Sequence, residues 1–292
     1  MKYAFYPGCV SQGGCPELYQ AVTLVAQKLD LELVELKEAA CTGAGVLHER
    51  NPELADTINA RTFAMAEKLG LPIITICSTC AGVMSKVNHR LQSNPSYLER
   101  INGHLADEGL KYNGTTEVKH LLWFIVEDFG LERLKGLVVN PLAGLRAAPF
   151  YGCYIVRPSA TLGFDEHPNR PHYLEEVIAA LGASPVEYDG SDKCCGLPIL
   201  TMNRRNSLQM AADHVGEAME AEADCMVTPC PLCHLNLDGQ QPDAAGIAHT
   251  TLGLPIVHLP QLMGLAMGIE PKALGMNRHI VSTKSVLAKT SR

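Results

Sequence analysis

The stretch Phe5-Tyr6-Pro7-Gly8-Cys9 returns as Phe150-Tyr151-Gly152-Cys153 after a similar apolar lead-in, and this recurrence decides the fold. The two cysteines lie 144 residues apart. Cys41-Thr42-Gly43 then matches Cys194-Cys195-Gly196, and Ile76-Cys77-Ser78-Thr79-Cys80 matches Pro229-Cys230-Pro231-Leu232-Cys233, both at an offset of 153. The second copy therefore carries a nine-residue insertion. Val118-Lys119-His120-Leu121 likewise matches Ile256-Val257-His258-Leu259, each opening an apolar segment that a glycine closes, Gly130 and Gly268. Four matches in the same order make the chain a repeat of itself.

Within the copies, short apolar runs at 3–6, 31–36 and 73–76 read as strands. Residues 55–69 and 207–221 space their apolar positions as helices do, the first ending at Gly70. Strands that alternate with helices imply parallel βαβ units. The expected fold class is thus α/β, with two domains related by approximate two-fold symmetry, each with a parallel-sheet core and cysteine-bearing loops. Residues 136–146, with Pro141 and Gly144, suit the join, which gives a first cysteine-rich domain at 1–145 and a second at 146–292. After Glu270 the chain holds Lys272, Arg278, Lys284, Lys289 and Arg292 with no acidic residue, which reads as a solvated basic tail.

Composition narrows the function classes. Of 292 residues 47% are hydrophobic and 19% charged, as in a globular protein, and this excludes disordered and collagen-like chains. A net charge of -7 without any Lys/Arg-rich run argues against a nucleic-acid surface. The apolar run 256–269 is shorter than the ~18–20 residues of a membrane span and is broken by His258, Pro260 and Gln261. The start, MKYAFYPGC, lacks the apolar core and cleavage site of an export signal, so a cytoplasmic protein is expected. Eleven cysteines in a reducing compartment point to metal or redox chemistry rather than disulfides.

Iron-sulfur clusters need several thiolates converging on a small inorganic core, and CxxC supplies two from one turn. The second copy offers five: Cys153, Cys194, Cys195, Cys230 and Cys233. The first offers four, Cys9, Cys41, Cys77 and Cys80, because Thr42 stands at the fifth position. Four thiolates suffice for a cubane. Gly43 and Gly196 permit close backbone approach, so their N–H groups are candidate donors to cluster sulfur.

The pattern Cys153-x40-Cys194-Cys195-Gly196-x33-Cys230-x-x-Cys233 resembles the cysteine-rich CCG motif, whose family includes the B-type subunit of heterodisulfide reductase. The resemblance spans nearly the whole chain. It implies that Cys153, Cys194, Cys195, Cys230 and Cys233 hold a noncubane four-iron four-sulfur cluster that binds the sulfurs of a disulfide and cleaves it by stepwise electron delivery. Thr42 departs from the motif, so the first copy is expected to hold a four-iron four-sulfur cubane as an electron relay. That arrangement looks like the B-type relatives in heterodisulfide-reductase-like complexes of sulfur oxidisers, which act on a carrier-bound sulfur species. The compact CxxCxxCxxxC ferredoxin run is absent, so electrons must pass through other subunits. By resemblance these are a ferredoxin-like subunit, next to this chain, with a flavin-bearing subunit of the same complex. CCG pairs also occur in iron-sulfur subunits of quinone-linked lactate, glycolate, glycerol-3-phosphate and succinate systems, which leaves pure electron transfer as the alternative role.

Simpler readings accompany these. Two CxxC pairs could make one zinc site, although structural zinc pairs lie closer in sequence. Cys230 to His234 spells the CxxCH haem signature, but covalent haem needs an exported chain, and Ala81 follows the matching first pair. Cys225 reads as a buried thiol, and Cys15, six residues beyond Cys9, as a neighbour of the first cluster rather than a ligand. His120 and His258 read as structural helix-start residues. Leu121, Leu122, Ile125 and Phe129 form one helical stripe from which Trp123 falls, so Trp123 reads as exposed and a partner anchor or loop contact. No GxGxxG, Walker or GxSxG pattern supports nucleotide binding or serine hydrolysis.

Overall fold

The short apolar runs pair into two four-stranded parallel sheets in a computed structural model that describes residues 1–290. In the first sheet β1 (Lys2–Tyr6) lies between β2 (Glu32–Glu35) and β3 (Ile73–Thr75), with β4 (Val118–His120) outside β3. The second repeats this plan: β5 (Arg146–Pro149) lies between β6 (Ser184–Pro185) and β7 (Cys225–Thr228), with β8 (Ile256–His258) outermost. Corresponding registers run Ala4↔Ile73 and Ile73↔Val118 in one sheet, Ala147↔Cys225 and Met226↔Ile256 in the other. The chain is mixed α/β, with two parallel sheets of the same strand order.

Helices begin earlier than apolar spacing alone suggests, because asparagines cap them. Asn51 Oδ1 accepts the Leu54 N–H at 3.1 Å and starts the helix Pro52–Leu69; Asn203 Oδ1 accepts the Asn206 N–H at 3.1 Å and starts Arg204–Glu220. Gly70 ends the first at φ +65°.

Side chains alternate across every strand, and both faces are covered. Phe5, Ile74, Ala147, Val227 and Val257 point into one apolar core, together with the helices Pro16–Lys28, Tyr173–Ala180 and Leu259–Ala266. Ala4, Ile73, Ala148, Met226 and Ile256 point into the other, with Pro52–Leu69, Ser78–Ser93 and Arg204–Glu220. Each core draws on both copies. The halves are alike in plan yet bury their apolar faces jointly.

Two surface expectations are corrected. Trp123 is only 2% exposed: the Arg170 guanidinium lies 4.1 Å above its ring, held by the Glu127 carboxylate at 2.7 and 3.0 Å. The basic tail folds back instead of extending into solvent. Leu274, Met276 and Val286 are buried, Asp238 accepts the Ile280 and Val281 N–H groups, and Lys289 pairs with Asp224 at 2.7 Å. Arg292 lies outside the described residues. Among the described residues no helix is long and apolar enough to cross a membrane.

Candidate metal centres

In open parallel sheets, ligands gather at the carboxyl ends of strands where the connections turn to opposite sides, a point reached here between β1 and β3 and again between β5 and β7. Chain order puts the cysteines there. Cys9 opens the helix Cys9–Gly13 after β1, Cys41 lies in the loop after β2, and Cys77 caps the helix Ser78–Ser93 that carries Cys80. In the second copy Cys153 follows β5, Cys194 and Cys195 follow β6, and Cys230 caps the helix Pro231–Leu237 that carries Cys233. Every cysteine is a free thiol.

The first set is open at one side. Cys9 and Cys41 are exposed with sulfurs 3.7 Å apart, whereas Cys77 and Cys80 are buried, Cys80 helping to push the Cys77 thiol up. Burial, then Cys41, pushes the Cys9 thiol up to about 11. Thr42 is buried, and its Oγ1 has no partner among the described residues, while its carbonyl accepts the Asn59 amide at 2.9 Å. An orphaned hydroxyl at the fifth position marks a group still to be satisfied.

The second set is closed. The thiols perturb one another in series: Cys153 with Cys194, Cys194 with Cys195, Cys195 with Cys233 and Cys233 with Cys230. Cys153, then Cys195, holds the Cys194 thiol down to about 2, and the Gly196 N–H adds to this from 3.4 Å. Its neighbour Cys195 is pushed up to about 12 by Cys194. A thiolate held by surrounding thiols is a soft donor set that suits iron. Packing needs both motif glycines bare, since a Cβ would meet Leu47 Cδ2 at 2.9 Å from Gly43 and the Ser207 carbonyl oxygen at 2.8 Å from Gly196; among the described residues only Gly196 donates its N–H to a sulfur of the set.

Backbone comes close to sulfur in both copies. A Cβ on Gly8 would sit 3.3 Å from Cys80 Sγ, and one on Gly152 would sit 2.7 Å from Cys233 Sγ. Both glycines have positive φ, +79° and +68°, which L side chains resist. These cradles and the orphaned Thr42 hydroxyl fit a compact inorganic core better than a disulfide or a lone buried thiol.

The two sets touch. The Cys77 and Cys230 thiols perturb each other, and Thr79 Oγ1 lies 3.6 Å from Cys230 Sγ. Pro229, just before Cys230, receives Ser78 Oγ at 3.4 Å and His120 Nε2 at 3.1 Å. Burial holds His120 down to about 4, so it stays neutral, with Nδ1 accepting the Leu122 N–H. A cavity of about 220 Å³ opens beside the second set, walled by Cys153, Cys195, Tyr154, Leu197 and Leu232, with Ala44 from the first copy.

Some supporting residues carry no sequence signal. Asn236 donates to the Cys195 carbonyl at 2.6 Å, Ser207 Oγ to that of Gly196 at 2.8 Å, and His214 Nε2 to that of Cys194 at 3.0 Å. Cys15 is not beside the first set: its sulfur lies 3.7 Å from the Pro231 carbonyl and 4.0 Å from His234 Nδ1, in the second copy. Cys225 is fully buried in β7, as expected.

A family model described as a cysteine-rich domain, CCG, matches residues 3–85 and again 147–238. The chain is 36% identical over 280 residues to the 8-methylmenaquinol:fumarate reductase membrane anchor subunit of Wolinella succinogenes, covering 96% of this chain and 97% of that protein. It is 31% identical over 291 residues to the B-type subunit of the ferredoxin/F(420)H(2)-dependent CoB-CoM heterodisulfide reductase of Methanosarcina acetivorans, covering 99% and 96%. A protein of Archaeoglobus profundus named as similar to the B-type heterodisulfide reductase subunit is 28% identical over 276 residues, covering 93% and 92%. A hypothetical protein from Helicobacter pylori shares the fold at a TM-score of 0.77 and 16% identity, over 96% of this chain and 52% of that one. This chain thus spans about half of that solved chain.

Proposed function

The chain belongs to the cysteine-rich CCG family that includes the B-type subunit of heterodisulfide reductase, and on that premise we propose that it is the iron-sulfur subunit of a heterodisulfide-reductase-like complex, performing thiol and disulfide redox chemistry at its second copy. The supporting observation is the cluster of five mutually perturbing thiols, four of which line a cavity. Cys153, Cys194, Cys195, Cys230 and Cys233 would hold a noncubane four-iron four-sulfur cluster, and Cys9, Cys41, Cys77 and Cys80 a cubane. Such clusters, when bound, supply single electrons and, at the noncubane, iron for soft substrate sulfur.

The chain's own residues shape the rest. Tyr154, Leu197 and Leu232 shield the cavity, so a thiol meets an apolar wall. The Gly196 N–H steadies negative charge on Cys194. Contact between Cys77 and Cys230 gives electrons a short route between the copies, taken as units 1–145 and 146–292. The exposed Cys9 and Cys41 edge is where a ferredoxin-like subunit would dock, with a flavin-bearing subunit beyond it.

A second reading has its own support in the 36% identical relative named for a methylmenaquinol:fumarate reductase: both sites would then pass electrons in a quinone-linked dehydrogenase without binding a sulfur substrate. One assay separates the two. The purified complex, reduced by viologen under anaerobic conditions, is offered either a disulfide or a quinone. Disulfide-dependent oxidation that Cys195→Ser abolishes supports the sulfur reading. Turnover with the quinone and none with the disulfide overturns it in favour of the second.

A further inference from the structure

Behind the second set, Cys15 and Glu17 of the first copy meet His234 and His258 of the second, and all four are nearly solvent-free, at 0, 5, 4 and 0% exposure. Each offers one donor atom, and these atoms all lie within 4.8 Å of one another. We propose that Cys15, Glu17, His234 and His258 form a closed structural zinc site that fastens the two copies together.

The arrangement is hard to explain as ordinary packing. His258 and His120 hold matching places in the repeat, but His120 satisfies both ring nitrogens on backbone groups, whereas His258 Nε2 faces the Glu17 carboxylate at 3.3 Å. Arg278 is more than half exposed and stands 3.5 Å from that carboxylate. A divalent ion would supply positive charge beside this buried carboxylate.

One sulfur, two imidazoles and one carboxylate form a mixed donor set that suits zinc, with no position left open for a substrate. Zinc bonds of about 2.0–2.3 Å at tetrahedral angles put ligand atoms roughly 3.3–3.6 Å apart. Cys15 Sγ to His234 Nδ1 is 4.0 Å and Glu17 to His258 is 3.3 Å, so closure asks for a contraction of less than about 1 Å along the first edge. It also asks one of the two stacked imidazoles, whose centroids are 4.0 Å apart, to turn its nitrogen into the gap. The carboxylate and thiolate charges then balance the ion.

The test reads zinc rather than turnover, so it stands apart from the sulfur reading. The iron-loaded protein is analysed for metals and by X-ray absorption at the zinc edge. One zinc per chain with one sulfur and three nitrogen or oxygen neighbours is expected, and zinc content should fall at least tenfold in Cys15→Ala and in His258→Gln. Absence of zinc, zinc surrounded by three or four sulfurs, or zinc kept by both variants overturns the proposal. Where a variant also loses iron, the sulfur count in the unmodified protein decides.

Discussion

The two cysteine sets differ more than the sheets that carry them. Both stand at the switch point of a sheet of the same strand order, and both pair a CxxC helix start with cysteines from two earlier loops. Yet one has four thiols, two of them exposed, while the other has five, three of them buried, beside a cavity. A single side chain accounts for much of this: Thr42 puts a hydroxyl with no partner among the described residues where Cys195 puts a sulfur coupled to Cys194 and Cys233. On the proposed function, one scaffold sets a conduit and a reaction site side by side, with donor number and burial deciding which is which.

The largest effect that could break this contrast comes from Cys195→Ser. It removes the middle link of the five-sulfur run, so substrate turnover should fall at least a hundredfold and the second cluster's electron-paramagnetic signal should disappear, with about four irons kept per chain. Loss of both signals would show that the sites assemble as one unit. Thr42→Cys works in the opposite direction. Reconstituted protein should show the first-site signal changed toward that of the second; an added thiol that stays alkylatable under anaerobic conditions would mean that the loop, not ligand number, sets the cluster type.

A finer comparison uses the backbone cradles. Gly152→Ala puts a methyl 2.7 Å from Cys233 Sγ, against 3.3 Å from Cys80 Sγ for Gly8→Ala, and both force an L side chain to positive φ, a strain of about 1–3 kcal/mol. Iron analysis should therefore find the second site depleted in Gly152→Ala, and the first largely kept in Gly8→Ala. Equal losses would remove the distinction.

The smallest effect is a pH dependence at the seam. His120 is held down to about 4 by burial, below an unfolded value near 6.5, so below that point the unfolded chain takes up a proton that the folded chain refuses. Its contribution is complete above pH 6.5 and is lost as pH falls toward 4, a span of about 3 kcal/mol. Anaerobic denaturant titrations should show His120→Gln with a flatter profile across that window. An unchanged slope would leave His120 without this role.

Much of the plan was legible in the sequence because the repeat aligns its thiols and strands in one order. Cys9, Cys41, Cys77 and Cys80 do converge, as do Cys153, Cys194, Cys195, Cys230 and Cys233, since parallel strands place successive loops on the same edge. What escaped depends on contacts between the copies. Trp123 lies off its helical stripe yet is buried by Arg170 from the other half, and Cys15 is near Cys9 in sequence yet packs against Pro231 and His234. The tail's basic composition hid its apolar anchors Leu274, Met276 and Val286. Periodicity speaks of one element at a time; shared cores need the fold.

Iron and acid-labile sulfide analysis of the anaerobically purified chain, read together with its electron-paramagnetic spectrum, tests the inequality of the two sets most directly. Two unlike clusters predict about eight irons per chain and two distinct signals, one of the cubane type and one altered by added thiol. Two identical signals, or about four irons with a single site filled, would contradict the division of labour between Thr42 and Cys195.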